Sequence, residues 1–217
     1  AWGGHFGFHP DLPRHAFQVG ADALITSTHK ALPGYSASAL LLARTTLLSA
    51  ERLEQSFETT HTTSPAGAPL ASIDGVRALL ETRGEELIGS LLNNIHRFKE
   101  MVQAEFALPI FLYPSDFPAG RFDPSKIVLR VQQLGASGVE IEQDLQAKGI
   151  RVEMADRDTI VFLATIADSQ ADFDSLADAL IPILKKRQEQ RRESATALSW
   201  SVAVSYTHLT LPTKRIV

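Results

Sequence analysis

The chain has 217 residues, 44% of them hydrophobic and 21% charged, enough apolar material for one large or two modest domains. A formal net charge of −4 argues against wrapping a polyanion, and no apolar run approaches the roughly 18–20 residues of a membrane-spanning helix, so neither nucleic acid nor a membrane is expected as a partner. The absence of cysteine excludes thiol nucleophiles, disulfides and Cys-ligated metals; it suits a cytoplasmic protein whose chemistry rests on Lys, His, Ser/Thr, Asp/Glu or a cofactor.

The sequence opens at Ala1-Trp2-Gly3-Gly4 with no initiator Met and no apolar leader, and it reads as a cut through a larger protein. His5 and His9 stand four apart, a spacing that on a helix would present two imidazoles to one ion. Gly3, Gly4, Gly7 and Pro10 oppose a helix there and no third ligand is in view, so no metal site is expected. Residues 20–27 form a compact apolar run of strand length, and Ser38–Ala43 forms a second. Between them lies Thr28-His29-Lys30-Ala31-Leu32-Pro33-Gly34-Tyr35, whose Pro-Gly pair predicts a turn within an exposed polar loop.

Ser49–Phe57 has helical spacing, with Leu53 and Phe57 four apart. Ser64-Pro65 followed by Leu70, Ile73, Val76 and Leu80 predicts a capped long helix with a first-turn proline. Gly84 punctuates the pattern, and Leu87, Leu91, Ile95, Phe98 and Val102 predict a second long helix to about Phe106, packed on the first as a connector between lobes. From Leu108 short apolar runs at 108–113, 126–131, 150–153 and 159–164 alternate with helices at 138–148 and 171–192, the texture of a small α/β lobe. The basic run Lys185, Lys186, Arg187, Arg191 and Arg192 reads as the solvated end of the last helix. The expected organisation is therefore a larger domain with its connecting helices over 1–107, a small lobe over 108–193, and a tail over 194–217. The tail loses the amphipathic pattern and resembles sequencing-adapter read-through, so it is set aside as non-native or disordered.

The sharpest chemical signal is Thr26-Ser27-Thr28-His29-Lys30 at the end of the first strand. A lysine partly desolvated between strand ends loses hydration, its pKa falls, and its amine becomes able to form a Schiff base. Neighbouring hydroxyls and an imidazole can hold a phosphate. Pyridoxal phosphate needs that pairing of an amine for its aldehyde with donors for its phosphate. The pentapeptide alone favours the plainer reading, a solvated lysine in a Ser/Thr-rich loop.

Three motifs in order narrow the choice. Ala1-Trp2-Gly3-Gly4-His5-Phe6-Gly7-Phe8-His9-Pro10, then Ser27-Thr28-His29-Lys30, then Thr62-Thr63-Ser64-Pro65 leading into Leu70-Ala71-Ser72-Ile73-Asp74, together resemble the major domain of the bacterial Orn/Lys/Arg decarboxylases, which are fold-type-I PLP enzymes. The segments Gly138–Glu142, Gly149–Glu153 and Ile160–Thr165 resemble the small lobe that follows in that family, and the resemblance covers about Ala1–Lys186. It implies an α/β architecture: the C-terminal part of a fold-type-I, aminotransferase-like large domain, followed by a small α/β lobe.

By the same resemblance, Lys30 is the Schiff-base lysine and Ser27 and His29 contact the phosphate of pyridoxal 5'-phosphate. Trp2 occupies the position beside the phenolic oxygen of the cofactor. Thr62, Thr63 and Ser64 precede a helix N-terminus, where free N–H groups favour an anion, and reach the phosphate of a partner subunit; a plain helix cap is the competing reading. A homodimer or higher homo-oligomer and a small basic amino acid substrate are implied, with release of the amine and CO₂. Two departures stand out: the carboxylate that pairs with the pyridine nitrogen falls three positions before Trp2, beyond the first residue, and Ala31 replaces the usual threonine. Little activity is therefore expected of these 217 residues in isolation. Glu153, Asp156 and Asp158 lie where an acidic substrate contact could arise, although surface carboxylates are the commoner explanation. An aminotransferase, an aldolase, or a catalytically silent regulatory homologue are the alternatives.

Overall fold

A computed structural model describes residues 3–44, 47–61, 64 and 66–198. The first two strands, β1 (Ala23–Ser27) and β2 (Ala39–Ala43), pair antiparallel with Ile25 opposite Leu41. Helices α1 (Ala50–Thr60) and α2 (Gly67–Gln103) follow. The second half contains β3 (Lys126–Arg130), α3 (Gly138–Gln146), β4 (Met154–Ala155), β5 (Thr159–Leu163) and α4 (Gln170–Leu198). Its sheet has the order β3-β5-β4, antiparallel throughout.

The two long helices expected on either side of Gly84 are one. Gly84 lies within α2 and does not interrupt it, because an isolated glycine costs a helix only about 1 kcal/mol. Its missing side chain serves packing instead: a Cβ there would stand 3.5 Å from Phe8 Cβ, and one at Gly89 would stand 3.2 Å from His9 Nε2. The two glycines let the N-terminal segment lie close against the helix. Nor does α2 begin as expected, for Ala66 is its N-cap and provides no side-chain hydrogen bond; Ser64 lies two residues earlier, exposed.

Each half of α2 serves a different core. Its first half presents Val76, Leu80 and Ile88 to Leu12 and Leu32. Its second half presents Leu91, Ile95, Phe98 and Val102 to the larger cluster that includes Ile127, Leu129, Ile160, Phe162, Phe173 and Leu180 from β3, β5 and α4. Phe98, fully buried, meets Phe111 edge-on at 5.9 Å and Phe173 at 6.0 Å. The one helix thereby contributes to both clusters, joining Leu12 and Leu32 to the strands and helix of the second half.

The run at 108–113 contributes only a bridge, Phe111 to Leu129, with the Leu112 amide donating to Val128 O. The run at 150–153 precedes β4 and does not form it, although the Glu153 amide donates to Val161 O. Helix α4 continues to Leu198, past the expected end at Arg192. Its basic run is not merely solvated. Arg187 donates to Asp144 on α3 at 2.7 Å and stands 3.6 Å from Glu140, while Lys185 pairs with Glu105 beyond the end of α2. These contacts clamp α4 across its neighbours, and a guanidinium at such a crossing gains from partial shielding what it would lose in open solvent.

Candidate active site at the end of strand β1

The alternation of β1 leaves Ile25 exposed while Thr26 and Ser27 are buried at its carboxyl end, and the chain then turns through 28–38 into β2. This connection is less open than its composition predicts: Thr28, Ala31, Leu32 and Ser38 are all buried. Leu32 is inserted in the core beside Val76 and Leu80, which anchors the residues just after Lys30. Ala31, in the place where the family's threonine was expected, is buried as well.

Ser38 organises the loop. Its carbonyl accepts from the Thr28 amide at 3.1 Å, its hydroxyl lies 2.5 Å from Thr28 Oγ1, and the same hydroxyl donates to Tyr35 O at 2.6 Å. His29 Nδ1 faces both the Ser38 amide (3.1 Å) and the Ser38 carbonyl (2.7 Å), so it is held whether it carries a proton or not. That leaves Nε2 as the remaining polar atom of the imidazole. Gly34 closes the turn by donating to Thr28 O at 2.7 Å; a Cβ there would meet the same oxygen at 2.4 Å, which only glycine avoids. The Tyr35 amide donates to Ser72 Oγ on α2 at 3.0 Å. The sequence marked Ser38 only as the start of a strand, and nothing in its spacing announced a hub.

Of the residues expected to hold a cofactor, Ser27, His29 and Lys30 are brought together on this short segment. Ser27 is buried, His29 half-buried and Lys30 exposed. The desolvation asked of Lys30 is thus not supplied by the described residues. Ser64 lies exposed before α2, while Trp2, Thr62 and Thr63 fall outside the described residues. His5 and His9 diverge, His5 toward Asp123 and Ser125, and His9 toward the Asp11 amide, which it accepts at 3.1 Å. Among the described residues no group of three or more His, Asp or Glu is placed to hold a metal, and no helix is long and apolar enough to cross a membrane. Asp156 spends its carboxylate on the β4–β5 turn, accepting from the Asp158 and Thr159 amides at 2.8 and 2.6 Å, and Asp158 is paired with Arg157. Glu153 remains exposed.

Residues 1–116 match the family described as Orn/Lys/Arg decarboxylase, major domain. The chain belongs to the Orn/Lys/Arg decarboxylase family. Similarity to curated decarboxylases continues into the small lobe. The chain is 33% identical over 196 residues to the arginine decarboxylase of Bacillus subtilis (strain 168), covering 88% of this chain and 39% of that protein. To the arginine decarboxylase of Halalkalibacterium halodurans it is 32% identical over 190 residues, covering 83% and 37%. It spans about two fifths of the length of these relatives. Lysine decarboxylase A from Pseudomonas aeruginosa superposes with a TM-score of 0.70 at 18% identity, over 89% of this chain and 32% of that one. The constitutive lysine decarboxylase of E. coli superposes with a TM-score of 0.62 at 20% identity, over 75% and 28%. The fold is shared with these lysine decarboxylases and is of the mixed α/β class that the sequence implied.

The decarboxylase segment fits a phosphate-bearing aldehyde. Lys30 is an exposed residue, the His29 ring is oriented by its inner nitrogen, and the buried residues Ser27 and Thr28 bring hydroxyls to the strand end. Buried Thr26 Oγ1 has no hydrogen-bond partner in the described structure, a donor at the strand end that an anionic acceptor would satisfy.

Proposed function

We propose that this chain forms part of a PLP-dependent decarboxylase of a basic amino acid, arginine, lysine or ornithine, with Lys30 as the amine that holds the cofactor aldehyde. The observation that carries the reading is the position of Lys30. It follows Ser27-Thr28-His29 directly, on a turn locked by Ser38 and Gly34, within the stretch that matches the family's major domain. A turn fixed at both ends holds an amine at one place while leaving its long side chain mobile enough to join and release a carbonyl.

When bound, the pyridoxal ring supplies an electron sink for the pair released as CO₂ leaves. The protein's part is placement. By the family resemblance Ser27 and His29 would donate to phosphate oxygens, and Trp2, whose indole N–H can only donate, would serve the phenolic oxygen. Thr62, Thr63 and Ser64, which precede α2 in the sequence, would by the same resemblance serve the phosphate of a partner subunit in a cytoplasmic homodimer or higher homo-oligomer. With the substrate's amine on the cofactor, the Lys30 amine would be able to hold or move a proton at the reacting carbon.

Borohydride reduction of the full-length protein saturated with pyridoxal phosphate, followed by peptide mapping, tests the assignment. A pyridoxyl group on Lys30 is expected, together with release of CO₂ and of agmatine or a diamine. A keto-acid product would make the protein an aminotransferase, and an unmodified Lys30 would make it a silent homologue.

A further inference from the structure

The residues that bear the proposed chemistry lie at one end of β1, yet the turn beside them is tied to the other lobe. His5 is only 4% exposed, and its Nε2 stands 3.3 Å from both Asp123 Oδ1 and Ser125 Oγ, more than a hundred residues along the chain. The Ser125 hydroxyl and amide both donate to that same carboxylate oxygen, at 2.7 and 3.0 Å. The other oxygen, Asp123 Oδ2, lies 3.6 Å from Lys126 Nζ. Burial opposes ionisation of Asp123, but the hydrogen bonds and charge of His5, with Ser125 and Lys126, outweigh it and hold the carboxyl below its usual range. An ionised carboxylate only accepts, so His5 Nε2 carries the proton toward Asp123. Ser125 in turn accepts the Ala164 amide with its carbonyl at 3.2 Å, which joins the cluster to the ends of β3 and β5.

On its other side the same turn touches the candidate site. A Cβ on Gly4 would stand 3.1 Å from Ser27 O and 3.2 Å from Thr26 Oγ1. The backbone just before His5 is therefore seated on the strand end that leads to Lys30. If His5 served only to fill space, an apolar side chain would do so without burying an imidazole; Nδ1 is buried with no hydrogen-bond partner among the described residues.

We propose that His5, Asp123 and Ser125 form a positioning link through which the small lobe sets the Gly3–His5 turn against the Ser27–Lys30 segment and so governs cofactor binding there. This rests on Lys30 being the cofactor-binding lysine. None of the three touches the reacting atoms. Loss of the link loosens the turn while leaving the β1–β2 hairpin, the Ser38 hub and both hydrophobic clusters in place.

The test uses the full-length protein in five forms: wild type, His5→Leu, His5→Gln, Asp123→Ala and Ser125→Ala. Each is titrated with pyridoxal phosphate well below the thermal midpoint of its apo form, so that unfolding does not enter the affinity. His5→Leu and Asp123→Ala are expected to weaken cofactor binding about tenfold or more, the equivalent of one buried polar interaction. Ser125→Ala, the mildest change, is expected to weaken it less, and His5→Gln, which keeps an N–H donor, to recover most of the wild-type affinity. Wild-type affinity in the folded Leu, Ala and Ser125→Ala variants, with only a lower thermal midpoint, overturns the link and leaves it a structural contact. Should His5→Leu or Asp123→Ala fail to fold, Ser125→Ala decides by the same comparison: weakened binding supports the link and wild-type affinity overturns it. A wild-type protein that fails to bind the cofactor at Lys30 overturns the functional reading itself, an outcome the wild-type titration reveals before any variant is measured.

Discussion

Replacing Lys99 by methionine probes the junction where α2 hands the chain to the small lobe. Lys99 is 4% exposed, and its ammonium donates to Leu112 O at 2.9 Å, with the rings of Tyr113, Phe122 and Phe111 at 4.9, 5.7 and 5.9 Å. Burial pushes its pKa down from 10.5 to about 8, against a smaller opposing pull from Asp116. Holding the charge in that cage therefore costs the folded state about 3 kcal/mol, at about 1.4 kcal/mol per pH unit. Below pH 8 both folded and unfolded chains keep the proton and Lys99 adds no slope. Between about 8 and 10.5 the unfolded chain binds the proton that the folded chain has released, so stability rises with pH. Lys99→Met abolishes that rise and removes the cost, while leaving Leu112 O without its donor, a loss of about 1–3 kcal/mol. The variant is expected to be as stable as the wild type or up to about 2 kcal/mol more stable at pH 7. From pH 8 to 10.5 the wild type should gain on it by as much as about 3 kcal/mol. Urea unfolding at pH 7, 8, 9 and 10 reads the difference, in which the titration of all other groups cancels. Parallel stability curves for the two proteins would refute the reasoning.

Gly34→Ala forces a Cβ onto the Thr28 carbonyl oxygen and should cost about 1–3 kcal/mol in thermal unfolding, with faster tryptic cleavage after Lys30 as the loop loosens. Phe98→Ala empties the contact among α2, Phe111 and Phe173 and should cost about 3–5 kcal/mol in denaturant titration. Arg187→Ala breaks a partly shielded pair with Asp144 and should cost about 1–2 kcal/mol, whereas Lys185→Ala, losing a more exposed pair with Glu105, should cost under about 1 kcal/mol and vanish in high salt. Equal losses for the two basic residues would show that shielding does not separate them.

Elements built on local pattern were legible before any coordinates. The compact apolar run at 20–27, the three-four spacing from Leu70 to Val102 and the apolar face of α4 each announced the type of element that formed there. The two helices expected around Gly84 are nevertheless one, and α4 runs six residues past Arg192. The family was legible too, through the order of three short motifs along residues 1–74, because contiguous motifs can be recognised without knowing what they touch. Gly84 misled because glycine has two uses, breaking a helix or admitting a neighbour, and only the approach of Phe8 reveals which one applies. The roles of Ser38, Lys99, His5, Asp123 and Arg187 had no counterpart in spacing, for each has a partner that lies 9 to 120 residues away. Hydrogen bonds and ion pairs at such separations follow from how the packed elements cross, and hydrophobic periodicity encodes which face turns inward but not which polar atoms meet there.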